Sequence, residues 1–104
     1  MLDMSKMKFD LVFTEHADEQ MNELEMMNGK KSILKAVNKI LGFMESNLRH
    51  PSLNTHKYDE IEGPNGEDVF ESYVQNKTPG AYRIFWHYGP GKGKITILEI
   101  CGHP

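Results

Sequence analysis

Eight residues, Ala81 to Tyr88 (AYRIFWHY), set an arginine and a histidine inside the most hydrophobic stretch of the chain. On a strand, alternate side chains share a face. Tyr82, Ile84, Trp86 and Tyr88 then lie on one side, and Ala81, Arg83, Phe85 and His87 on the other. A guanidinium is a rigid fork of donors suited to phosphate or carboxylate oxygens, and an imidazole exchanges a proton near neutral pH. The preceding alternating run, VFESYVQN, adds Glu71 and Tyr73 to the face of Arg83 if Phe70, Ser72 and Val74 face inward. This is equipment for binding anions and moving protons. The plain alternative is an Arg83–Glu71 ion pair across two strands, with no chemical task.

These residues need a sheet with one face left uncovered. KFDLVFTE alternates Phe9, Leu11 and Phe13 against Asp10, Val12 and Thr14, which predicts a first strand. Thr14 is placed to cap a helix carrying Ala17, Met21 and Leu24 at helical spacing, and Asn28–Gly29 predicts its left-handed stop. Ser32 is expected to cap a second helix, whose stripe is Ile33, Val37, Ile40, Leu41, Met44 and Leu48, with Pro51 ending it. Four strands follow: HKYDEI, VFESYVQN, AYRIFWHYG and ITILEI, joined by the turns GPNGED, KTPG and PGKGK. The expected fold is α+β, in the order β-α-α-β-β-β-β. Its sheet is mostly antiparallel, with a helical hairpin packed on one face. Tyr82, Ile84 and Trp86 meet the helices, so Arg83, Phe85 and His87 are left on the open face.

Bulk properties narrow the partners. The chain has 104 residues, room for one domain over residues 1–104. A net charge of -3 argues against a strongly basic nucleic-acid binder, so any anion site must concentrate its cations locally. Lys30, Lys31, Lys35, Lys39 and Arg49 recur along the second helix and its end as one candidate flank. A single cysteine, Cys101, fits a reducing, cytoplasmic setting. The opening MLDMSKMKFDLVF lacks a secretory h-region, and no window is apolar enough to span a membrane. The five histidines show no paired ligand spacing, so no metal or other cofactor is expected. GPGKGK lacks the order of a nucleotide-binding loop and reads as a hairpin turn.

The strand order, the Tyr82–Arg83 pair opening a hydrophobic strand, the preceding VFESYV, the linker NLRHPSLNTHKY and the ending ITILEICGHP resemble the RelE/ParE superfamily of bacterial toxin–antitoxin toxins. The resemblance covers most of the chain. It implies a cognate antitoxin and one of two targets. RelE-type members cut mRNA on the ribosome, which makes ribosome and mRNA the partners. ParE-type members inhibit DNA gyrase without cutting RNA. A nontoxic interaction module of the same fold is a third outcome, and a homodimer is compatible with each.

RNA cleavage by the 2′-hydroxyl requires a base, a donor set for the crowded phosphorane, and an acid for the leaving 5′-oxygen. The resemblance assigns Arg83 to the phosphate. It puts His103 where some ribosome-dependent members carry a terminal histidine. His87 is the expected acid–base partner beside Arg83, and Glu71 a candidate base. RelE-type members often have lysines where Glu71 and Tyr73 stand, so an all-cation mechanism is not expected. Lys57, His56, Arg49 and Tyr73 are the candidate RNA contacts.

Overall fold

Strand alternation and helix spacing build the observed layers. The computed structural model describes residues 8–75 and 80–102. In chain order the elements are β1 (Asp10–Phe13), α1 (Glu15–Met26), α2 (Lys31–Ser46), β2 (His56–Glu62), β3 (Asp68–Tyr73), β4 (Tyr82–Tyr88) and β5 (Lys94–Gly102). One five-stranded sheet runs β1-β5-β4-β3-β2, antiparallel throughout except where β1 lies parallel to β5. The expected α+β architecture is present. The parallel pair follows from the helical hairpin, which carries the chain back across the sheet between β1 and β2.

Both helices pack on one face. Ala17 and Leu24 of α1, and Val37, Ile40, Leu41 and Met44 of α2, meet Ile84, Trp86, Ile95, Ile97 and Ile100 of the sheet. Trp86 is fully buried and donates its indole N–H to Ser72 Oγ at 2.9 Å, which in turn lies 2.7 Å from Thr55 Oγ1. That chain satisfies the one polar atom of a large apolar side chain inside the core.

Helix ends departed from expectation at three points. Thr14 caps α1 as its side chain predicts, accepting the Ala17 N–H. Asn28–Gly29, however, does not supply a left-handed stop. Met27 leaves α1 extended, and Asn28–Lys30 forms a 3₁₀ turn that runs directly into α2. Ser32 therefore lies inside α2, and the residue at its N-cap, Lys30, makes no side-chain cap bond. Pro51 does not end α2 either, because the helix stops at Ser46, and Pro51 opens a separate 3₁₀ turn through Leu53. The fixed φ of proline suits the first position of such a turn.

A bulge decides which face β5 presents. Phe85 pairs with Glu99, yet Trp86 pairs with Ile97, so Leu98 is an extra residue. Simple alternation from Ile95 and Ile97 would send Glu99 under the helices. The bulge shifts the phase by one, turning Ile100 inward and Glu99 out. The expected KTPG turn lies largely outside the described residues.

Candidate functional site

The face opposite the helices carries most of the candidate residues. The register sets Tyr73 opposite Arg83, Arg83 opposite Cys101, Glu71 opposite Phe85, and His56 opposite Glu71. Strands β2, β3, β4 and β5 thus bring polar side chains into one row across the sheet.

Within that row a continuous assembly forms. Glu71 is only 2% exposed, and its Oε1 lies 2.8 Å from His56 Nε2. The other ring nitrogen, Nδ1, lies 3.2 Å from the Asn54 carbonyl, so oxygen acceptors face both nitrogens of His56. The edge of the His56 ring meets the Tyr73 ring at a centroid distance of 5.5 Å. The guanidinium of Arg83 stacks 3.8 Å from the centre of the same tyrosine, close enough for a cation–π contact. Glu71, His56, Tyr73 and Arg83 are therefore linked in sequence across three strands.

Arg83 is 9% exposed and partly committed to the backbone. Its Nη1 donates to the carbonyls of Gln75 at 2.8 Å, Tyr82 at 3.1 Å and Ala81 at 3.3 Å. It ties together the two ends of the β3–β4 connection, which Tyr82 N and Gln75 Oε1 also join at 3.2 Å. Nε is buried without a partner, as is Glu71 Oε2. Two charged groups on one face each keep an unused polar atom, and such atoms call for a ligand or an ordered water. The cross-strand ion pair between Arg83 and Glu71, the plain alternative, is absent among the described residues; Glu71 pairs with His56 instead.

The remaining candidates fall elsewhere. His87 shares the face of Arg83 but lies four residues along the strand, roughly 13 Å at the usual rise. It is 3% exposed, its Nδ1–H donates to the Tyr88 carbonyl at 2.7 Å, and its Nε2 is 3.9 Å from Glu67. The expected acid–base partnership of His87 with Arg83 is not formed, since nothing curls the strand enough to bring positions four apart together. Lys57 points to the opposite face from His56, as alternation requires. It lies 3.5 Å from both Asp59 and Asp68, and Asp68 foremost, then Asp59, raises its pKa. It is not part of the row. Arg49 is in the exposed turn after α2, beside His50, whose ring stacks on Phe43 at 3.9 Å. That turn belongs to the helical side. His103 lies outside the described residues. Glu71 is too enclosed to meet a substrate as a lone base and acts on its surroundings through His56.

Two neighbours were not named as site residues from sequence. Tyr58 packs edge-on against Phe85 at 4.9 Å, and its hydroxyl donates to Glu60 at 2.8 Å, which raises its pKa. Cys101 stands opposite Arg83, and burial, then Glu99, pushes its thiol up to about 11. Position in the alternation was a signal for both, since each has the phase of a named site residue. At the edge of the row Gly102 runs against the β3–β4 connection. A Cβ there would meet the Gly80 carbonyl oxygen at 2.8 Å, so only glycine permits the approach. Among the described residues no group of three or more histidine, cysteine or acidic side chains converges as a metal site, and no helix is long and apolar enough to cross a membrane.

The architecture has known counterparts. A YoeB/ParE toxin from Agrobacterium tumefaciens superposes with a TM-score of 0.62 over 92% of this chain and 100% of that one, at 9% identity. The YoeB dimer from Staphylococcus aureus gives 0.61 over 93% and 98%, at 14% identity. The archaeal RelE–RelB complex from Pyrococcus horikoshii gives 0.58 over 92% and 96%, at 13% identity. The chain has the RelE/ParE-type toxin fold. No family model and no curated protein matches the sequence. Identity this low carries the RelE/ParE-type backbone and leaves the site to be read from its own residues.

Proposed function

We propose that this protein is the toxin of a toxin–antitoxin pair and acts as a ribosome-dependent endoribonuclease. The observation that supports this most is the linked assembly Glu71–His56–Tyr73–Arg83 on the face that the helices leave uncovered. It combines an acid–base couple with a guanidinium on one surface of a RelE/ParE-type fold.

The chemistry follows from the arrangement. With Nε2–H of His56 held by Glu71, Nδ1 must leave the Asn54 carbonyl to take the proton from a ribose 2′-hydroxyl, and the freed oxygen then attacks the adjacent phosphorus. The bond from phosphorus to the 5′-oxygen breaks, leaving a 2′,3′-cyclic phosphate and, after protonation, a 5′-hydroxyl. Arg83 offers Nη2 to the phosphorane oxygens, while Nη1 holds the loop. His103 is the proposed acid, on the family resemblance. Tyr73 fixes the guanidinium plane. DNA lacks the 2′-hydroxyl and is not a substrate for this route. An antitoxin partner belongs to this proposal, one neighbour being a RelE–RelB complex, and so does a homodimer, another being a YoeB dimer.

A gyrase-inhibiting reading has one observation in its favour: Arg83 is largely buried and spends Nη1 on three carbonyls, as a scaffold residue would. Transcript mapping after brief induction separates the two. Discrete new 5′ ends in wild-type cells, lost with Arg83→Ala and His56→Ala, are expected. Intact transcripts with gyrase-dependent DNA damage would replace the nuclease by the inhibitor.

A further inference from the structure

His56 is held at both ring nitrogens, and the two partners differ. Its Nε2 lies 2.8 Å from a Glu71 oxygen, and its Nδ1 lies 3.2 Å from the Asn54 carbonyl oxygen. A carbonyl only accepts, so a bond at Nδ1 requires a proton on Nδ1. A second proton lies between Nε2 and Glu71, whichever of the two carries it. The couple as it stands is therefore loaded, one proton richer than a base awaiting a 2′-hydroxyl. The charged groups around the ring are Glu71 on β3 and, beyond the Tyr73 ring, Arg83 on β4.

The Asn54 carbonyl is built into its position. The residues on either side of it are anchored in the core. Leu53 is fully buried, and Thr55 Oγ1 lies 2.7 Å from Ser72 Oγ, the acceptor of the Trp86 indole N–H. Asn54 between them is exposed, and at φ 46° it is the one non-glycine residue with positive φ among the described residues. Asparagine tolerates the left-handed region better than most side chains. The turn that leads into it is closed twice. The Asn54 N–H donates to the Pro51 carbonyl at 3.2 Å, and the Ser52 N–H donates to His50 Nδ1 at 3.1 Å.

Of the two contacts on His56, the one at Asn54 is the one that yields. The Glu71 contact is shorter and involves a carboxyl group that is 2% exposed. Hydrogen bonds to an ionised partner are roughly twice as strong as neutral ones. The ring therefore pivots on Glu71 and trades the Asn54 carbonyl for substrate at Nδ1.

We propose that Asn54 is a positioning residue for the loaded imidazole. Nδ1 takes the 2′-hydroxyl proton: the O–H bond breaks, the Nδ1–H bond forms, and the electron pair stays on oxygen for the attack on phosphorus. The ring then turns about its Glu71 bond, and the Asn54 carbonyl receives the new Nδ1–H, away from the oxygen it came from. The structure has the ring at the end of that movement. Water takes the proton before the next round. This role rests on the proposed cleavage, but the proton at Nδ1 is observable without it.

The experiment is nuclear magnetic resonance of the full chain with isotope-labelled histidine at about pH 6, within the range where imidazoles change charge. His56→Gln assigns the signals. Nδ1 of His56 should carry a proton that exchanges with water about 5-fold more slowly than in the urea-unfolded chain, the factor expected of one ordinary hydrogen bond. Asn54→Gly keeps the left-handed backbone and should retain that protection. Asn54→Val, whose branched side chain disfavours that backbone, should lose it. Thr55→Val releases the anchor without altering Asn54 and should lose it as well; thermal melting shows which variants are folded. In transcript mapping, Asn54→Val should lower the yield of new 5′ ends and Asn54→Gly should restore it. A bare Nδ1 in wild type overturns the proposal. So does full protection in a folded Asn54→Val or Thr55→Val, and so does wild-type cleavage by an Asn54→Val that has lost the protection. A protected Nδ1–H in a protein that leaves transcripts intact sinks the nuclease reading alone.

Discussion

The two faces of the sheet are built from the same strands and have opposite interiors. On the helical face Ile84, Trp86, Ile95, Ile97 and Ile100 are buried among aliphatic side chains, and the one polar atom of Trp86 is satisfied by Ser72. On the open face Glu71, Arg83 and His87 are just as enclosed, yet Glu71 and Arg83 each keep a buried polar atom without a partner. Burying charge costs free energy unless it is paired. A face that needed only to be stable would carry neighbours that satisfy both groups. The contrast teaches that enclosure alone does not define a core: one face minimises unsatisfied polarity, and the other retains it.

Substitutions on paired positions test that contrast. The largest effect is expected at Trp86→Ala, which should cost about 4–5 kcal/mol in denaturant unfolding, since the cavity lies beneath both helices. Phe85→Ala on the open face should cost less, about 3 kcal/mol, because Tyr58 and its neighbours can settle into the space. Equal losses would erase the distinction between the faces. Next, Arg83→Ala should cost about 2–3 kcal/mol by removing a charged donor from three carbonyls. Arg83→Lys should recover little of it, because a single ammonium cannot reproduce the fork.

Smaller effects sharpen the picture. A double-mutant cycle of His56→Ala with Glu71→Gln should show coupling of about 1 kcal/mol, since the histidine side chain is 47% exposed and screened by solvent. Coupling near zero would break the chain of contacts at its first link. Further along the sheet, the Asn65 backbone N–H first, its own N–H and then His87 lower the pKa of Glu67. Its ionised form is therefore favoured by folding. That stability is present above the ordinary carboxylate range and is lost as pH falls through the depressed folded value. Glu67→Gln should flatten the acid limb of a stability–pH profile and leave neutral pH unchanged in shape. Last, alkylation of Cys101 should reach its half-maximal rate near pH 11, against the usual thiol value near 9 in unfolded chain.

Much of this layout was legible in residue order. Tyr82-Arg83-Ile84-Phe85-Trp86-His87 alternates cleanly, so the faces of β4 followed from a period of two. Thr14 marked the start of α1, and the stripe from Ile33 to Met44 marked α2. The misreadings have specific causes. Asn28–Gly29 and Ser32 are good terminators and caps in isolation, but the short connection between the helices left room only for a 3₁₀ turn. Pro51 predicts the end of α2, whereas the chain has already left the helix at Asn47. The pairing of His56 with Glu71 was not readable, because it depends on the β2–β3 register, which shifts between Lys57 and Glu62. Nor did ITILEI disclose that Leu98 would be bulged out and so turn Glu99 away from the core. His87 was read on the correct face, but a shared face says nothing of distance along it.

The position of β5 has a consequence for how the protein comes into being. This strand lies between β1 and β4, yet it is translated after every other described element. At ordinary elongation rates β1 waits roughly 4 to 17 s for the partner that holds it. A nascent copy cut short before Lys94 lacks the strand that sits between β1 and β4, so β1 has no neighbour in the sheet.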